Sequence, residues 1–471
     1  MDPIVIEFQR GDDPPRSRLY YGQDCRDTLR QLPDQSVHTI CTSPPYWGLR
    51  DYGNPPSVWG GDKDCVHEWG GIVPQITRKT GDDRGNGHAE VSDGPQPVER
   101  GRNCSKCNAW CGQLGLEPNP EMFVNNIVDI FGEAWRVLRD DGTLWLNMGD
   151  SYANDGKWGG FTGGKHASGL HGNTGVGRQR VTSGMKPKEL VGIPWRIAFA
   201  MQAYGWYLRQ DIVWSKSNPM PESVFDRCTR SHEFIFMFTK NPSYYYDYYA
   251  IREKSAGGSG RPHGYKMSHR VSQLERDGTP KGGDGWEDVD GMRNKRSVWN
   301  VNPKPYAGSH FAVWPEELVE SMILSGSSEM GCCSECGAPH VRVINRGVVE
   351  DHGRSVDSQY MQNSDSLSGR SAASAHRQLG GNYQSKLNAK PPTTCGWRAS
   401  CKCGAGISKC VVLDIFSGSA TTGLVAMKNG RDYIGMDATK KYTELAVSRL
   451  NNVPAPVGEQ DDNGIMGIFG A

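Results

Sequence analysis

The chain has 471 residues, about three times the ~150 residues of a common domain, which predicts one large domain with insertions or two to three units. Lys+Arg and Asp+Glu both number 53, and this zero net charge excludes a uniformly cationic surface but not a local basic cleft. The 14 Trp, 18 Tyr and 12 Phe suffice for a core and exclude wholesale disorder. Because no apolar stretch approaches the ~20 residues of a membrane span, and the N-terminus lacks a signal-type apolar core, we expect a cytoplasmic protein with no membrane partner.

The first predicted elements form a strand–helix–strand unit over residues 18–41. Asp24 follows a short apolar run and can cap a helix over residues 26–32, and residues 37–41 are a second β-rich run. Pro44 and Pro45 remove two backbone donors, so the chain must leave the sheet at the carboxyl end of this strand. In open α/β sheets, ligands bind at that edge.

Helical and β-rich segments then alternate, with polar stretches between them. Residues 48–102 are polar and turn-rich, so we expect an insertion with little regular structure, and residues 154–186 are predicted to be a mobile glycine-rich loop. The alternation indicates a mixed α/β sheet. The predicted helices cover residues 121–138, 194–204 and 315–325, and the predicted strands cover residues 143–147, 207–214 and 233–239.

The clearest unit lies near the C-terminus. It consists of a strand (411–413), a small-residue turn (417–419), a helix (421–429), a second strand (433–436) and a final helix (441–450), an arrangement that forms a nucleotide-type pocket. Asp414 ends the first strand and can accept from a cationic amine. Asp437 follows 23 residues later, a spacing that suits a carboxylate bound to ribose hydroxyls. The lack of a G-x-G-x-x-G motif disfavours NAD and FAD.

The loop Ser43-Pro44-Pro45-Tyr46 has the features of a receptor for an exocyclic amine. Paired prolines lock the backbone, so a carbonyl and the Ser43 hydroxyl can point at one spot, while Tyr46 and Trp47 offer flat faces for a planar ring. Two acceptors aligned on the amine hydrogens would favour a tetrahedral nitrogen and free its lone pair. An amine inside a DNA duplex is out of reach, so the target base would have to be extruded.

In type and order, these motifs resemble those of the β-class S-adenosylmethionine-dependent DNA amino-methyltransferases. Residues 42–47 resemble the family's catalytic [S/D/N]-P-P-[Y/F/W] loop, and residues 414–418 resemble its cofactor loop. Residues 22–25 are similar to its upstream acidic motif, and residues 310–318 to the helix before the cofactor loop. The resemblance covers most of the chain. It implies an α/β, Rossmann-like class I methyltransferase fold, a mixed sheet with helices on both faces.

The resemblance also implies site residues and partners. The substrate would be double-stranded DNA in a bacterial or phage-infected cell, and a cognate restriction endonuclease is a further possible partner. The implied catalytic residues are Ser43, Pro44, Pro45 and Tyr46. The implied ligands of S-adenosyl-L-methionine, the methyl donor, are Asp24, Asp414, Phe416, Ser417, Gly418, Ser419 and Asp437.

The target base and two alternatives stay open at this point. Ser43 favours cytosine N4 over adenine N6, because the family's adenine enzymes more often carry Asp there. A protein glutamine N-methyltransferase uses a related Asn-Pro-Pro-Tyr loop, but Ser43 and the reversed motif order argue against it. Ile415 and Ala420 replace the family's Pro and Gly, and they support a third reading, a non-catalytic zinc-containing DNA-binding protein with a decayed cofactor site.

Fourteen cysteines in a reducing cytosol point to metal binding rather than to disulfides. The first predicted zinc set is Cys65, His67, Cys104 and Cys107, with Cys111 as an alternative ligand. The second is Cys333, Cys336, Cys401 and Cys403. Both would be structural sites in zinc-ribbon-like insertions, because four protein ligands leave no open position. Free thiols are the alternative.

The predicted division of the chain follows these motifs and the changes in composition. Basic residues concentrate in residues 154–190 and 252–306, and such charge gives affinity for phosphate, although charge runs are more often solvated surface. Target recognition is therefore assigned only by position in the chain and by the resemblance to the family. The predicted segments are the catalytic-loop half of the core (1–60), a zinc-knuckle-like insertion (61–115), the rest of the catalytic half (116–250), a target-recognition region (251–308), the helix motif of the cofactor half (309–330), a second cysteine-rich insertion (331–408), the S-adenosylmethionine-binding half (409–452) and a disordered tail (453–471).

Overall fold

The computed structural model describes most of the predicted core. The described residues are 2–7, 14–48, 52–71, 73–75, 98–153, 185–186, 188–219, 221–222, 224–254, 292–303, 314–345 and 393–452. The predicted glycine-rich loop up to residue 184, most of the target-recognition region and the predicted tail lie outside these residues.

A mixed sheet organises the described chain, in the order β1-β2-β9-β8-β3-β4-β6-β5-β7 of the strands given below. The run from β2 to β4 is parallel, β6 is antiparallel to both of its neighbours, β1 is antiparallel to β2, and β7 is parallel to β5. The strands are β1 (Ile4–Glu7), β2 (Arg16–Tyr21), β3 (Val37–Thr42), β4 (Leu138–Met148), β5 (Tyr207–Ser215), β6 (His232–Thr239), β7 (Val298–Asn300), β8 (Val411–Asp414) and β9 (Asp432–Asp437).

Strands β8 and β3 are adjacent and parallel, but the chain leaves them in opposite directions. From β8 it continues to β9 on one side, and from β3 it continues to β4 on the other. Such a topological switch point leaves a crevice at the carboxyl ends of the two strands. Thr42 at the end of β3 donates to Asp414 at the end of β8, although the two residues are 372 positions apart in sequence.

Helices cover both faces of this sheet, which confirms the predicted α/β fold. One buried cluster contains Leu29, Phe123 and Ile197 from α1, α2 and α3. The other contains Leu318 and Leu424 from α4 and α5, together with residues of α6. The helices are α1 (Cys25–Gln31), α2 (Pro120–Val137), α3 (Ile193–Tyr204), α4 (Glu316–Gly326), α5 (Thr421–Lys428) and α6 (Thr443–Asn451). No helix in the described ranges has the length and apolar character needed to cross a bilayer.

Helix α2 shows how local signals fix the boundaries. The Asn119 side chain caps its first turn by accepting from the Met122 N–H at 2.8 Å, and Pro120 occupies the first turn, where its missing donor costs nothing. The helix ends at Val137, one residue before the predicted end at residue 138. Strand β4 begins at once with Leu138, because Leu138 pairs with Val37 of β3.

The first insertion contains a sheet, so the prediction of little regular structure is wrong. The strands Ser57–Trp59, Val73–Gln75, Val98–Asn103 and Trp110–Gly112 form a four-stranded antiparallel sheet. Three of these strands have only three residues, which is too short for an alternating pattern to be visible in the sequence. The buried Trp59 and Trp110 supply the apolar contacts that the composition concealed.

Residues 247–295 and 340–402 form a second compact unit. Among its described residues, His340–Asn345 pairs with Thr393–Ala399, and Arg342 forms an ion pair with Asp247 at 2.9 Å. This unit draws on parts of three predicted segments: the last residues of the catalytic half (247–250), the target-recognition region and the second insertion. The remaining described residues belong to the unit that carries the central sheet.

Candidate active site

A cavity of about 280 Å³ opens at the carboxyl ends of β8 and β3. Its wall combines the loop after β3, the loop after β8 and part of the first insertion. Asp414 lies outside the lining. The predicted site residues that line the cavity are Asp24, Ser43, Pro44, Pro45, Tyr46, Phe416, Ser417, Gly418, Ser419 and Asp437.

The hydroxyls of the Ser-Pro-Pro-Tyr loop converge on one amide. Ser43 Oγ donates to Asn147 Oδ1 at 3.1 Å, and Tyr46 OH lies 3.0 Å from the same oxygen. Asn147 is the next-to-last residue of the neighbouring β4, so the sheet register places it beside the loop. Since Ser43 gives its proton to Asn147, its lone pairs remain able to accept from a ligand.

A carboxylate stands behind Tyr46. Tyr46 OH donates to Glu233 Oε2 at 2.7 Å, and Lys216 forms an ion pair with the other oxygen of Glu233. Burial, and then the nearby charge of Glu233, raise the pKa of Tyr46 well above its usual value. Tyr46 is therefore a neutral phenol near neutral pH and acts as a hydrogen-bond donor.

Two glycines make room for the loop. A Cβ on Gly149 would lie 2.3 Å from the ring of Tyr46, and one on Gly115 would lie 3.2 Å from Pro45. Gly115 also has φ +90°, which favours glycine. The ring of Tyr46 consequently packs directly on backbone, which fixes its position in the cavity wall.

Asp437 organises the loop after β8. Its carboxylate accepts from the Gly418 N–H at 2.8 Å and from the Thr439 N–H at 2.7 Å. Burial raises the pKa of Asp437, although these backbone hydrogen bonds oppose the shift. A half-buried carboxylate that can accept from ribose hydroxyls, beside a small-residue turn and the aromatic Phe416, is an arrangement that fits a nucleoside.

The serines of this loop bond to the surrounding elements. Ser417 Oγ lies 2.8 Å from Tyr21 OH and 2.7 Å from Tyr433 OH. Arg449 of α6 donates to the Ser419 carbonyl at 2.8 Å and to its hydroxyl at 2.7 Å. These contacts hold the turn in one conformation, and they tie it to β2, β9 and α6.

The structure places Asp414 beneath the loop, where it joins the two halves of the site. Its two oxygens accept from Thr42 at 2.7 Å and from Thr422 at 2.6 Å. Burial raises the pKa of Asp414 to about 6, and these hydrogen bonds oppose the shift. Direct contact of Asp414 with a ligand stays a prediction.

Ala420 adopts the left-handed conformation with φ 58° and ψ 38°, immediately before α5. A glycine would adopt it freely, whereas for other residues it costs roughly 1–2 kcal/mol. The loop keeps the hydrogen bonds of Gly418 to Asp437 and of Arg449 to Ser419, and Ala420 and Ile415 are both completely buried. The two departures from the family pattern therefore leave a formed loop.

Asp24 faces the cavity and also caps α1, as predicted. It accepts from the Arg26 N–H at 2.9 Å and forms an ion pair with the Arg26 guanidinium at 2.7 Å. Burial opposes ionisation of Asp24, but the hydrogen bonds and charge of Arg26 outweigh burial and lower its pKa. The carboxylate is thus ionised near neutral pH.

Sequence reasoning missed three parts of this site and misplaced one. Asn147, Glu233 and Lys216 form the network behind the catalytic loop; the detectable signal was a polar residue at or next to the end of each of three predicted strands. Trp47 is not a stacking face, because it is 7% exposed and donates to the Glu117 carbonyl at 3.0 Å. Tyr46 keeps that role as a prediction.

The first predicted metal set comes together in space. The ligand atoms of Cys65, His67, Cys104 and Cys107 all lie within 4.8 Å of one another, and Cys111 is outside the group. In the second set, Cys333, Cys336 and Cys403 have ligand atoms within the same distance, and all three belong to the core unit. Cys401 belongs to the second unit, and its role as a fourth ligand stays a prediction.

Comparison with known proteins gives a consistent class. A family model described as DNA methylase, of the N6/N4 methyltransferase type, matches residues 37–333 and 407–448. The Type II methyltransferase M.Cfr9I of Citrobacter freundii is 32% identical over 451 residues, which cover 95% of this chain and 93% of the relative. The Type II methyltransferase M.XycI of Xanthomonas campestris pv. cyanopsidis is 39% identical over 318 residues, 67% of this chain and 74% of the relative. The cytosine-N4-specific PvuII DNA methyltransferase aligns at 12% identity and a TM-score of 0.41 over 93% of this chain and 88% of its own.

The chain belongs to the N6/N4 family of DNA methylases. It is an S-adenosylmethionine-dependent DNA amino-methyltransferase, as the motifs indicated. The cavity fits this cofactor, since it pairs a half-buried acid and a small-residue turn with a loop suited to an aromatic amine.

Proposed function

We propose that the protein methylates the N4 amine of cytosine at a specific site in double-stranded DNA. The observation that carries the proposal is that the Ser43 and Tyr46 hydroxyls converge on Asn147 in the wall of the cavity that also contains Asp437. One cavity therefore combines a receptor for an exocyclic amine with a nucleoside site. Ser43 at the head of the loop supports cytosine, and adenine N6 is the second candidate.

S-adenosylmethionine supplies an electrophilic methyl group when bound. The protein's part is to present the amine as a nucleophile. Ser43 Oγ accepts one amine hydrogen, because its own proton is engaged with Asn147. The loop carbonyl after Ser43 accepts the other, and the ring of Tyr46 stacks on the extruded base. With both hydrogens held, the nitrogen lone pair is free to attack.

The methylated nitrogen must lose one proton, and the structure offers an acceptor. Glu233 lines the cavity and lies 2.7 Å from the Tyr46 hydroxyl. Lys216 holds the other oxygen of Glu233, which keeps the carboxylate oriented. We assign Glu233 as the group that receives the proton, directly or through Tyr46, so that the product amine leaves neutral.

The alternatives have less support. The family match favours DNA over a protein glutamine. A decayed cofactor site would leave the loop after β8 without its supports, whereas Asp437 and Arg449 hold it in place. Since the relatives are named Type II methyltransferases, we further propose that a restriction endonuclease recognises the same DNA site.

Expression in a methylation-deficient bacterium, followed by sequencing that reports modified bases, tests the proposal. We expect N4-methylcytosine at one recurring sequence, and none from the Ser43→Ala variant. N6-methyladenine would identify the second candidate. If the DNA stayed unmodified although the purified protein bound S-adenosylmethionine, the proposed activity would be wrong.

A further inference from the structure

The four-stranded sheet of the first insertion carries a compact set of metal-type ligands outside the catalytic cleft. Cys65 and His67 lie in the loop after Ser57–Trp59, and Cys104 and Cys107 lie in the turn before Trp110–Gly112. Their ligand atoms lie within 4.8 Å of one another. The Sγ atoms of Cys65 and Cys104 are 3.9 Å apart, and Cys107 Sγ is 3.4 Å from His67 Nδ1.

These separations match a tetrahedral ion and not a disulfide. Zinc–sulfur bonds of ~2.3 Å and zinc–nitrogen bonds of ~2.0–2.1 Å put tetrahedral ligand atoms roughly 3.5–3.8 Å apart. A disulfide requires ~2.05 Å between sulfurs. Three thiolates and one imidazole are a preferred donor set of Zn²⁺, and four protein ligands leave no position for a substrate.

The backbone around the cluster has features that favour binding of a metal ion. The Lys106 N–H points at Cys104 Sγ at 3.4 Å, an interaction that stabilises a thiolate. Asn108, directly after Cys107, takes the left-handed conformation with φ 58°, and its N–H donates to the Cys104 carbonyl at 3.1 Å, which closes the turn that carries both cysteines. A Cβ on Gly61 would lie 2.9 Å from Cys107 Sγ, so the opposite loop approaches as closely as glycine allows.

The same sheet forms part of the wall of the catalytic cavity. Trp59 and Gln113 line the cavity, and Trp59 Nε1 donates to the Gly112 carbonyl at 3.0 Å. The guanidinium of Arg26 lies 3.8 Å from the centre of the Trp59 ring. Arg26 is the partner of Asp24, so this contact joins the insertion to the cavity floor.

A second connection leads to the loop of Asp437. The Asn54 N–H donates to Gln113 Oε1 at 3.1 Å, and the Thr439 hydroxyl donates to Asn54 Oδ1 at 2.8 Å. The Thr439 N–H in turn donates to Asp437. This chain of hydrogen bonds makes the position of Asp437, which faces the cofactor, depend on a well-ordered insertion.

We propose that Cys65, His67, Cys104 and Cys107 bind one structural Zn²⁺, and that this ion fixes the insertion as a wall of the S-adenosylmethionine cavity. The first part stands on the cluster alone. The second part rests on the proposed assignment of the cavity to the cofactor. The metal takes no part in methyl transfer.

Zinc content and cofactor binding of the full-length protein test the two parts. Cys104→Ser removes a ligand, and Cys111→Ser is the matched control, since Cys111 lies in the same sheet outside the ligand group. We expect Cys104→Ser to contain one zinc ion per chain fewer than wild type and Cys111→Ser to match wild type. By calorimetry, the dissociation constant for S-adenosylmethionine should rise about tenfold in Cys104→Ser only.

If Cys104→Ser fails to fold, two further measurements still test the metal site. Cys107→His keeps four ligands and should retain the zinc ion. Wild-type protein loaded with Co²⁺ should show the absorption bands of tetrahedral thiolate coordination. In Cys107→Ala the absorbance of these bands per chain should fall by the contribution of one bound ion. Equal zinc in wild type and both ligand-removal variants would overturn the metal site. Loss of zinc with unchanged cofactor affinity would overturn the link to the cavity, whereas a wild type that holds zinc but binds no S-adenosylmethionine would contradict only the cofactor assignment.

Discussion

Replacement of Asp414 by asparagine separates the electrostatics of the buried site from its shape. Asp414 is 2% exposed and accepts hydrogen bonds from the hydroxyls of Thr42 and Thr422. Hydroxyls can donate or accept, so the amide of Asp414→Asn fits between the same partners. The change removes a titratable group while it keeps the volume and most of the contacts.

The expected effect follows from the direction of the pKa shift. Burial raises the pKa of Asp414 from 3.8 to about 6. Between these values the native state holds a proton that the unfolded state has released, so the free energy of unfolding falls as the pH rises through this window. A shift of about two units corresponds to ~3 kcal/mol at ~1.4 kcal/mol per unit. Asp414→Asn lacks this loss, and its stability relative to wild type should increase by ~3 kcal/mol from about pH 4 to about pH 7.

Urea unfolding followed by tryptophan fluorescence across this pH range measures the difference. Asp27→Asn is the control for the chemical change itself, because it makes the same replacement at a side chain that is 68% exposed on α1. A difference for Asp414→Asn that is constant with pH, or that falls as the pH rises, would refute the assignment of a raised pKa to this group.

Further variants test the cavity residue by residue. Ser43→Ala and Tyr46→Ala should slow methyl transfer by at least ~10²-fold with unchanged cofactor affinity, because both side chains face the base; near-normal turnover of Ser43→Ala would reject its catalytic role. Asp437→Ala should weaken cofactor binding by roughly 1.5–3 kcal/mol in calorimetry, and an unchanged dissociation constant would move the ribose site elsewhere. Gly149→Ala places a Cβ 2.3 Å from the Tyr46 ring and should reduce turnover like Tyr46→Ala, an idea that fails if single-turnover rates stay normal.

The fold was predictable where the signals are local. Asp24 precedes its helix with a capping side chain, and the capping contact is present. Asp437 ends a strand of strongly apolar residues, and it stands at the edge of the sheet beside the cofactor loop. The order of the motifs predicted that the catalytic loop and the cofactor loop lie together, because strands that end in functional loops share an edge in an α/β sheet.

The residues of the site that were not predicted come together only because particular strands become neighbours in the sheet. Glu233 is the second residue of β6, and nothing in the sequence distinguishes it from a solvated acid at a strand end. Only the antiparallel pairing of β6 with β4 and β5 brings it to Asn147 and Lys216. The small sheet of the insertion was invisible because its strands are short. Trp47 follows Tyr46 directly, yet its side chain is buried and donates to the Glu117 carbonyl, a contact between distant residues that the loop sequence does not reveal.

The position of β8 and β9 in the sheet has a consequence for biosynthesis. These strands fill the middle of the sheet, between β2 and β3, but they are the last strands of the described chain to be translated. Until residues 411–437 leave the ribosome, β2 and β3 each expose an unpaired edge that can recruit a strand from another molecule. Closure then requires contacts across nearly the whole chain, which slows folding. A nascent chain that stops before residue 411 holds two disconnected sheet fragments, so a premature stop codon there yields an aggregation-prone product rather than a partially active enzyme.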